Sequence, residues 1–164
     1  MDAYTFLGLP LHILLVHIIV VLTPLTAIAV LLHALWPAAA RRLGFVTPLS
    51  ALIVLVLTPI TVDAGTALET MVKVTPAVQQ HADLGQTLIY WVVPLFVVAL
   101  AIWLFTRWGE SLLGTRLTST AMLGVRLLIG LAAVIVCVGT LIDVVLIGDA
   151  GARAVWGGIV GRAP

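Results

Sequence analysis

Leu9–Val20, LPLHILLVHIIV, opens an apolar run that continues to Trp36 and settles what kind of protein this is. As a helix, the run from Leu9 to Trp36 is about 40 Å long, more than the ~20 residues a bilayer crossing needs. It therefore spans a membrane with a tilt or with a bend at Pro24. The same stretch carries His12 and His17. An imidazole without a partner in hydrocarbon is costly, so such a ring is a functional candidate by default.

Composition points the same way. Of 164 residues, 62% are hydrophobic and only 9% charged, and the mean hydropathy is +1.25, too apolar for a water-soluble domain of this length. The apolar runs predict four spans, at about 9–36, 46–68, 84–105 and 120–147, in one domain covering 1–164. The expected fold is therefore all-α, an integral membrane four-helix bundle. Between the second and third spans lies a polar loop, Glu69–Asp83, and after the fourth a Gly-rich tail, Gly148–Pro164. Pro24, Pro59 and Pro94 each fall within a span, where they either kink the helix or open a carbonyl toward a cavity. Cys137 is the lone cysteine, which leaves no disulfide framework and no Cys-based metal motif. A net charge of +1 gives no reason to expect nucleic acid as a partner. No Lys or Arg precedes Arg41, so the first run lacks the basic flank of a signal peptide and reads as a retained helix.

Loop charges set the expected orientation. Arg41, Arg42, Arg107 and Arg116 lie in the connectors after spans one and three, against Lys73, Arg153 and Arg162 on the opposite side. That bias places both connectors in the cytoplasm and both termini outside the inner (plasma) membrane. Trp36, Trp103 and Trp108 then suit the inner interface, and Tyr4, Tyr90, Trp91 and Trp156 the outer one.

On this topology the ionisable residues converge. His12 and His17 lie in the outer half of span one, Asp63 near the outer end of span two, His81 and Asp83 at the outer start of span three, and Asp143 near the outer end of span four. Only His33 lies toward the inner side among the histidines. His12 and His17 are five residues apart, about 140° around a helix, so only one of them can face the bundle. His17 is the candidate to pair with Asp63 or Asp143. No span carries an HExxH or a three-ligand zinc spacing, so any metal or haem must draw its ligands from different helices. The metal candidates are His12, His17, Asp63, His81 and Asp143, and the cofactor-binding candidates are His12, His17 and His81. Each also has a purely structural reading: His17 holding helices together, His12 and His81 wetted at the interface, His33 structural or snorkelling at the inner surface. The two buried-level carboxylates must be paired, protonated or watered. Asp63-Ala64-Gly65 is echoed by Asp149-Ala150-Gly151, and a histidine opens spans one and three, a short match compatible with two parallel helical hairpins.

The segment Leu9-Pro-Leu-His12-Ile-Leu-Leu-Val-His17 resembles the opening motif of the family known as domain of unknown function 2231, which typically reads His-Pro-x-x-Val-His-Phe-Pro. Asp63-x-Gly65-x-x-x-Glu69 and His81-x-x-x-Gly85 look like its second and third motifs. Gly148-Asp149-x-Gly151-Ala, running on to Trp156-Gly-Gly, resembles its tail, commonly Gly-His-x-Gly-Ala. The resemblance covers nearly the whole chain, with Ile13 in place of the usual proline and Asp149 where many relatives have His. It implies a four-helix bacterial membrane protein, sometimes joined to a Rieske-type iron–sulfur domain or found near respiratory genes.

Three functions follow as expectations. The first is an accessory redox-type or respiratory-chain-associated protein with an outer His/Asp site for haem b, a metal or a quinol; haem b would take two axial groups from different helices, such as His17 or His12 with His81. The second is a non-catalytic structural subunit or assembly partner of a larger membrane complex, its polar layer serving as interhelical glue. The third is a proton or ion relay through Asp63 and Asp143. No nucleophile–base set is visible, so hydrolysis is not expected. Membrane lipid and other membrane-complex subunits are the partners implied.

Overall fold

The computed structural model describes residues 4–160. Its first feature is a two-residue-per-strand antiparallel hairpin, β1 (Thr5–Phe6) and β2 (Leu9–Pro10), in which Thr5 pairs with Pro10 and Phe6 with Leu9. Leu7 and Gly8 turn the chain with positive φ values of 50° and 80°, the backbone that a tight two-residue hairpin demands. The Leu11 amide donates to the Tyr4 carbonyl at 2.8 Å. Helix α1 therefore starts at Leu11, not Leu9, and runs to Leu35. Pro37 ends it, because the residue before a proline is pushed out of helical backbone, and Trp36 is extended.

Pro37 then opens the short α2 (Pro37–Leu43), and Gly44, with φ 40°, turns the chain into α3 (Val46–Glu69). The third crossing starts earlier than hydropathy implies. Thr75 accepts a hydrogen bond from the Val78 amide at 3.3 Å and Pro76 occupies the first helical position, a Thr-Pro start signal that begins α4 (Pro76–Thr87). The chain bends at Leu88 into α5 (Ile89–Leu104), followed by a π-helical turn over Phe105–Gly109 and the short α6 (Glu110–Gly114). Helix α7 runs unbroken over 42 residues, Ser119–Val160, so most of the Gly-rich tail is helical. Glycine costs a helix about 1 kcal/mol relative to alanine; here packing of Ala150 and Gly151 against neighbouring helices offsets it. Arg162 lies outside the described residues.

Four helical segments are long and apolar enough to cross a membrane: Leu11–Leu35, Val46–Glu69, Pro76–Gly109 and Ser119–Gly157. Their outward faces carry exposed Leu, Ile and Val, for example Leu127, Leu131 and Val145 on α7. In water such a surface would aggregate; in lipid it costs nothing, because acyl chains are as apolar as leucine. The protein is a multi-pass membrane bundle. The helices form a ring in which α1 and α5 each pack against both α3 and α7, while α4 leans on α7. Lipid gives helices no hydrophobic reason to associate, so close approach through small residues must do it. The core accordingly holds Ala27, Ala51, Ala99, Ala133 and Cys137, all at 0% exposure.

The two halves of the ring repeat each other. At one constant offset the buried residues of α3 (Thr47, Ala51, Val54, Thr58, Thr61 and Ala64) fall on buried residues of α7 (Ala133, Cys137, Thr140, Val144, Ile147 and Ala150). At another, Ile19, Thr23, Thr26, Val30 and His33 of α1 fall on Leu88, Val92, Leu95, Ala99 and Ile102 of the α4–α5 arm, all buried. The short Asp-Ala-Gly echo is thus part of a register that runs the length of both hairpins.

At the end where the chain joins α1 to α3 and α5 to α7, the connector end, His33 is 2% exposed. Its Nδ1 lies 2.8 Å from Thr47 Oγ1 and its Nε2 3.4 Å from Thr106 Oγ1. His33 is a bolt across three segments, not a snorkelling surface ring. Trp103 stacks edge-on with Trp108 and Phe45 there, as expected of an interfacial belt. Trp91 is half-buried, and its ring fills the notch at Gly139 on α7.

Candidate functional site

At the opposite, terminal end, His12 and His81 meet. Their ring centroids are 6.2 Å apart with planes inclined at 77°. His12 comes from the first turn of α1 and His81 from the middle of α4. Each ring reaches across to a helix of its own hairpin: His12 Nδ1 to the Thr61 carbonyl at 2.9 Å, and His81 Nδ1 to the Ile147 carbonyl at 3.1 Å. Four residues after each acceptor stands a glycine, Gly65 and Gly151, and both rings lie where a β-carbon would project. The reason is helical geometry. The carbonyl of residue i points toward residue i+4, so a side chain there shields it from a second donor, and glycine leaves it open. Histidine, acceptor and glycine thus recur as a unit, once in each half.

The hydrogen bonds fix the chemistry of the rings. A carbonyl only accepts, so Nδ1 of each ring carries the proton. A neutral imidazole then presents a lone pair at Nε2, the form in which histidine binds metals, and a backbone carbonyl on the far nitrogen is the usual way to hold it so.

The other sequence candidates are placed elsewhere. His17 is exposed on the outside of α1, and its Nδ1 bonds the carbonyl of Ile13 in its own helix. The expectation that His17 faces the bundle and pairs with Asp63 or Asp143 is corrected: the 140° between the rings turns His12 inward instead. Asp63 is exposed and lies beside Asp83 on an open groove between α3 and the α4–α5 bend. Asp149, where the resemblance would put histidine, is turned outward to Arg153, 2.7 Å away on the next turn. An exposed pair of that kind contributes little. Asp143 is the one candidate carboxyl that is buried, at 7% exposure. Its Oδ1 lies 2.9 Å from the Thr87 hydroxyl, while Oδ2 has no hydrogen-bond partner. Among the described residues no group of three or more His, Cys, Asp or Glu side chains is placed to hold a metal ion. The sequence does not single out Gly65 and Gly151 as site residues; the available signals are their places in the repeated Asp-Ala-Gly and in the resembling motifs.

No family model matches the chain, and comparison with curated proteins and with solved structures gave no match.

Proposed function

We propose that the protein is an accessory redox-type membrane protein of a respiratory chain, with His12 and His81 as the residues that would hold a haem b at the terminal end of the bundle. The observation that carries this reading is the bracing of both rings through Nδ1, which leaves two Nε2 lone pairs on different helices. Two neutral histidines on different helices are the residues that would hold a haem, a group that needs only two ligands from protein. The glycines at 65 and 151 make the room the two rings occupy. Haem would supply one-electron transfer; the chain's own contribution is to fix tautomer and ring direction. Four residues of the resembling motifs, His12, Gly65, His81 and Gly151, meet here, whereas His17, Asp63 and Asp149 of the same motifs do not.

The test is direct. Protein purified gently from its native host should show haem b bands in a dithionite-reduced minus oxidised spectrum. His12→Ala and His81→Ala should each abolish them without loss of expression, and His17→Ala should leave them intact. A colourless protein carrying a transition metal by elemental analysis would move the reading to a bare ion, and one carrying extractable quinone to a quinol site. A colourless, metal-free and quinone-free preparation with a stoichiometric partner would replace it with a structural subunit.

For orientation, we place the connector end in the cytoplasm and the terminal end outside the plasma membrane, supported by the four connector arginines. After replacement of Cys137, a cysteine at Gln79 should react with an impermeant thiol reagent in intact cells. Cysteines at Ala39 and Ser111 should not. The reverse pattern would invert the assignment.

A further inference from the structure

Thr87 has one hydroxyl proton and two neighbours that want it. Its Oγ1 lies 2.7 Å from the Leu84 carbonyl and 2.9 Å from Asp143 Oδ1. One hydroxyl proton cannot fully serve both acceptors at once. A carboxylate has no hydrogen of its own to contribute, whereas a carboxylic acid can donate to Thr87 Oγ1 and leave the hydroxyl proton to the Leu84 carbonyl. Asp143 Oδ2 is buried and makes no hydrogen bond, an arrangement that an ionised carboxylate at membrane depth does not tolerate. Both facts ask for the same species.

Repetition between the halves shows that packing does not require this pair. At the register described above, Asp143 corresponds to Leu57 on α3, and Thr87 to Ile18 on α1. The first hairpin is built with two apolar residues where the second has a carboxyl and a hydroxyl. Thr87 also faces solvent-accessible space. With Asp63, Asp83, Gln86 and Tyr90 it lines the groove between α3 and the α4–α5 bend, whose volume is about 590 Å³. The titratable side chains at this end of the elements packed on α7 are His12 and His17 on α1, His81 and Asp83 on α4, and Tyr90 on α5. None of these is hydrogen-bonded to Asp143.

We propose that Asp143 is a neutral carboxylic acid that exchanges its proton with water in the α3–α4 groove through the Thr87 hydroxyl, giving the second hairpin a proton-transfer site that the first lacks. The step balances. The Asp143 Oδ1–H bond breaks as its proton passes to Thr87 Oγ1, and the proton Thr87 already holds swings from the Leu84 carbonyl to a groove water. The reverse passage of one proton restores the acid.

Infrared spectroscopy of the full-length protein in lipid vesicles at neutral pH tests this. The wild type should show a protonated-carboxyl C=O band above the amide bands, and Asp143→Asn should remove it. Transfer to heavy water should shift the band as deuterium enters, and Thr87→Val, which keeps shape but removes the hydroxyl, should slow that shift at least tenfold and move the band position. Thr87→Val leaves the carboxyl in place, so it decides the matter even if Asp143→Asn fails to accumulate. Absence of the band in the wild type, its persistence in Asp143→Asn, or an exchange rate and band position unchanged in Thr87→Val would each overturn the proposal.

Discussion

Gly139→Ala is expected to destabilise the bundle by about 3 kcal/mol, the upper end of what overpacking a tight core costs. A β-carbon at Gly139 would lie 1.9 Å from Cζ3 and 2.2 Å from Cη2 of Trp91. The indole is rigid and wedged between α5 and α7, so it cannot yield as a lysine tip would. The sign is informative, because glycine to alanine in a helix with free space gains up to about 1 kcal/mol. Gly148→Ala, with nothing near its β-carbon, is the matched control and should stabilise. Reversible unfolding in mixed micelles would measure both. Combining Gly139→Ala with Trp91→Leu should recover most of the loss, and a double variant no better than the single would show that the notch is not where the strain arises.

On the haem reading proposed above, Gly65→Ala is expected to remove most of the haem b bands, and Gly151→Ala to weaken them less. At Gly65 the added carbon would stand 2.9 Å from both Cε1 and Nδ1 of His12, so the ring must leave the Thr61 carbonyl. At Gly151 the distances to His81 Cε1 and Nδ1 are 3.0 Å and 3.2 Å, which a shift of a few tenths of an ångström relieves. The same ranking should appear without any cofactor: in histidine nitrogen-15 spectra, the slowly exchanging Nδ1 proton of His12 should disappear in Gly65→Ala, while that of His81 persists in Gly151→Ala. Equal effects at the two glycines, or none, would mean that they do not set the ring positions.

The class of the protein was legible in the sequence because hydrocarbon is an unforgiving solvent. A helix that must meet lipid on its outside has to be apolar all along, and the runs from Leu11 to Leu35 and from Val46 to Glu69 announce themselves. Element boundaries were less legible where two signals disagree. Hydropathy placed the third span at Leu84, but the Thr75-Pro76 start adds two polar turns that bring His81 onto a helix. The Gly-rich end of α7 has low helix propensity, and the packing of Ala150 and Gly151 that supports the helix there is not visible in local sequence. Of the five candidate site residues, the tertiary structure brings His12 and His81 together, turns His17 outward, leaves Asp63 on an open groove and buries Asp143 beside Thr87.

The sequence by itself determined a four-span membrane bundle and which residues lie at its terminal end, since both depend on local hydropathy and on distance along a helix. What it could not determine was which of those residues face one another. Five residues of separation put His12 and His17 on different faces, but whichever face is inward depends on how α1 is rotated against α3 and α7. That rotation is decided by where small residues let backbones approach: Ala27 and Ala51 at the core, and Gly65 and Gly151 beneath the two rings. These are contacts between segments far apart in the chain, and only the tertiary structure brings them together.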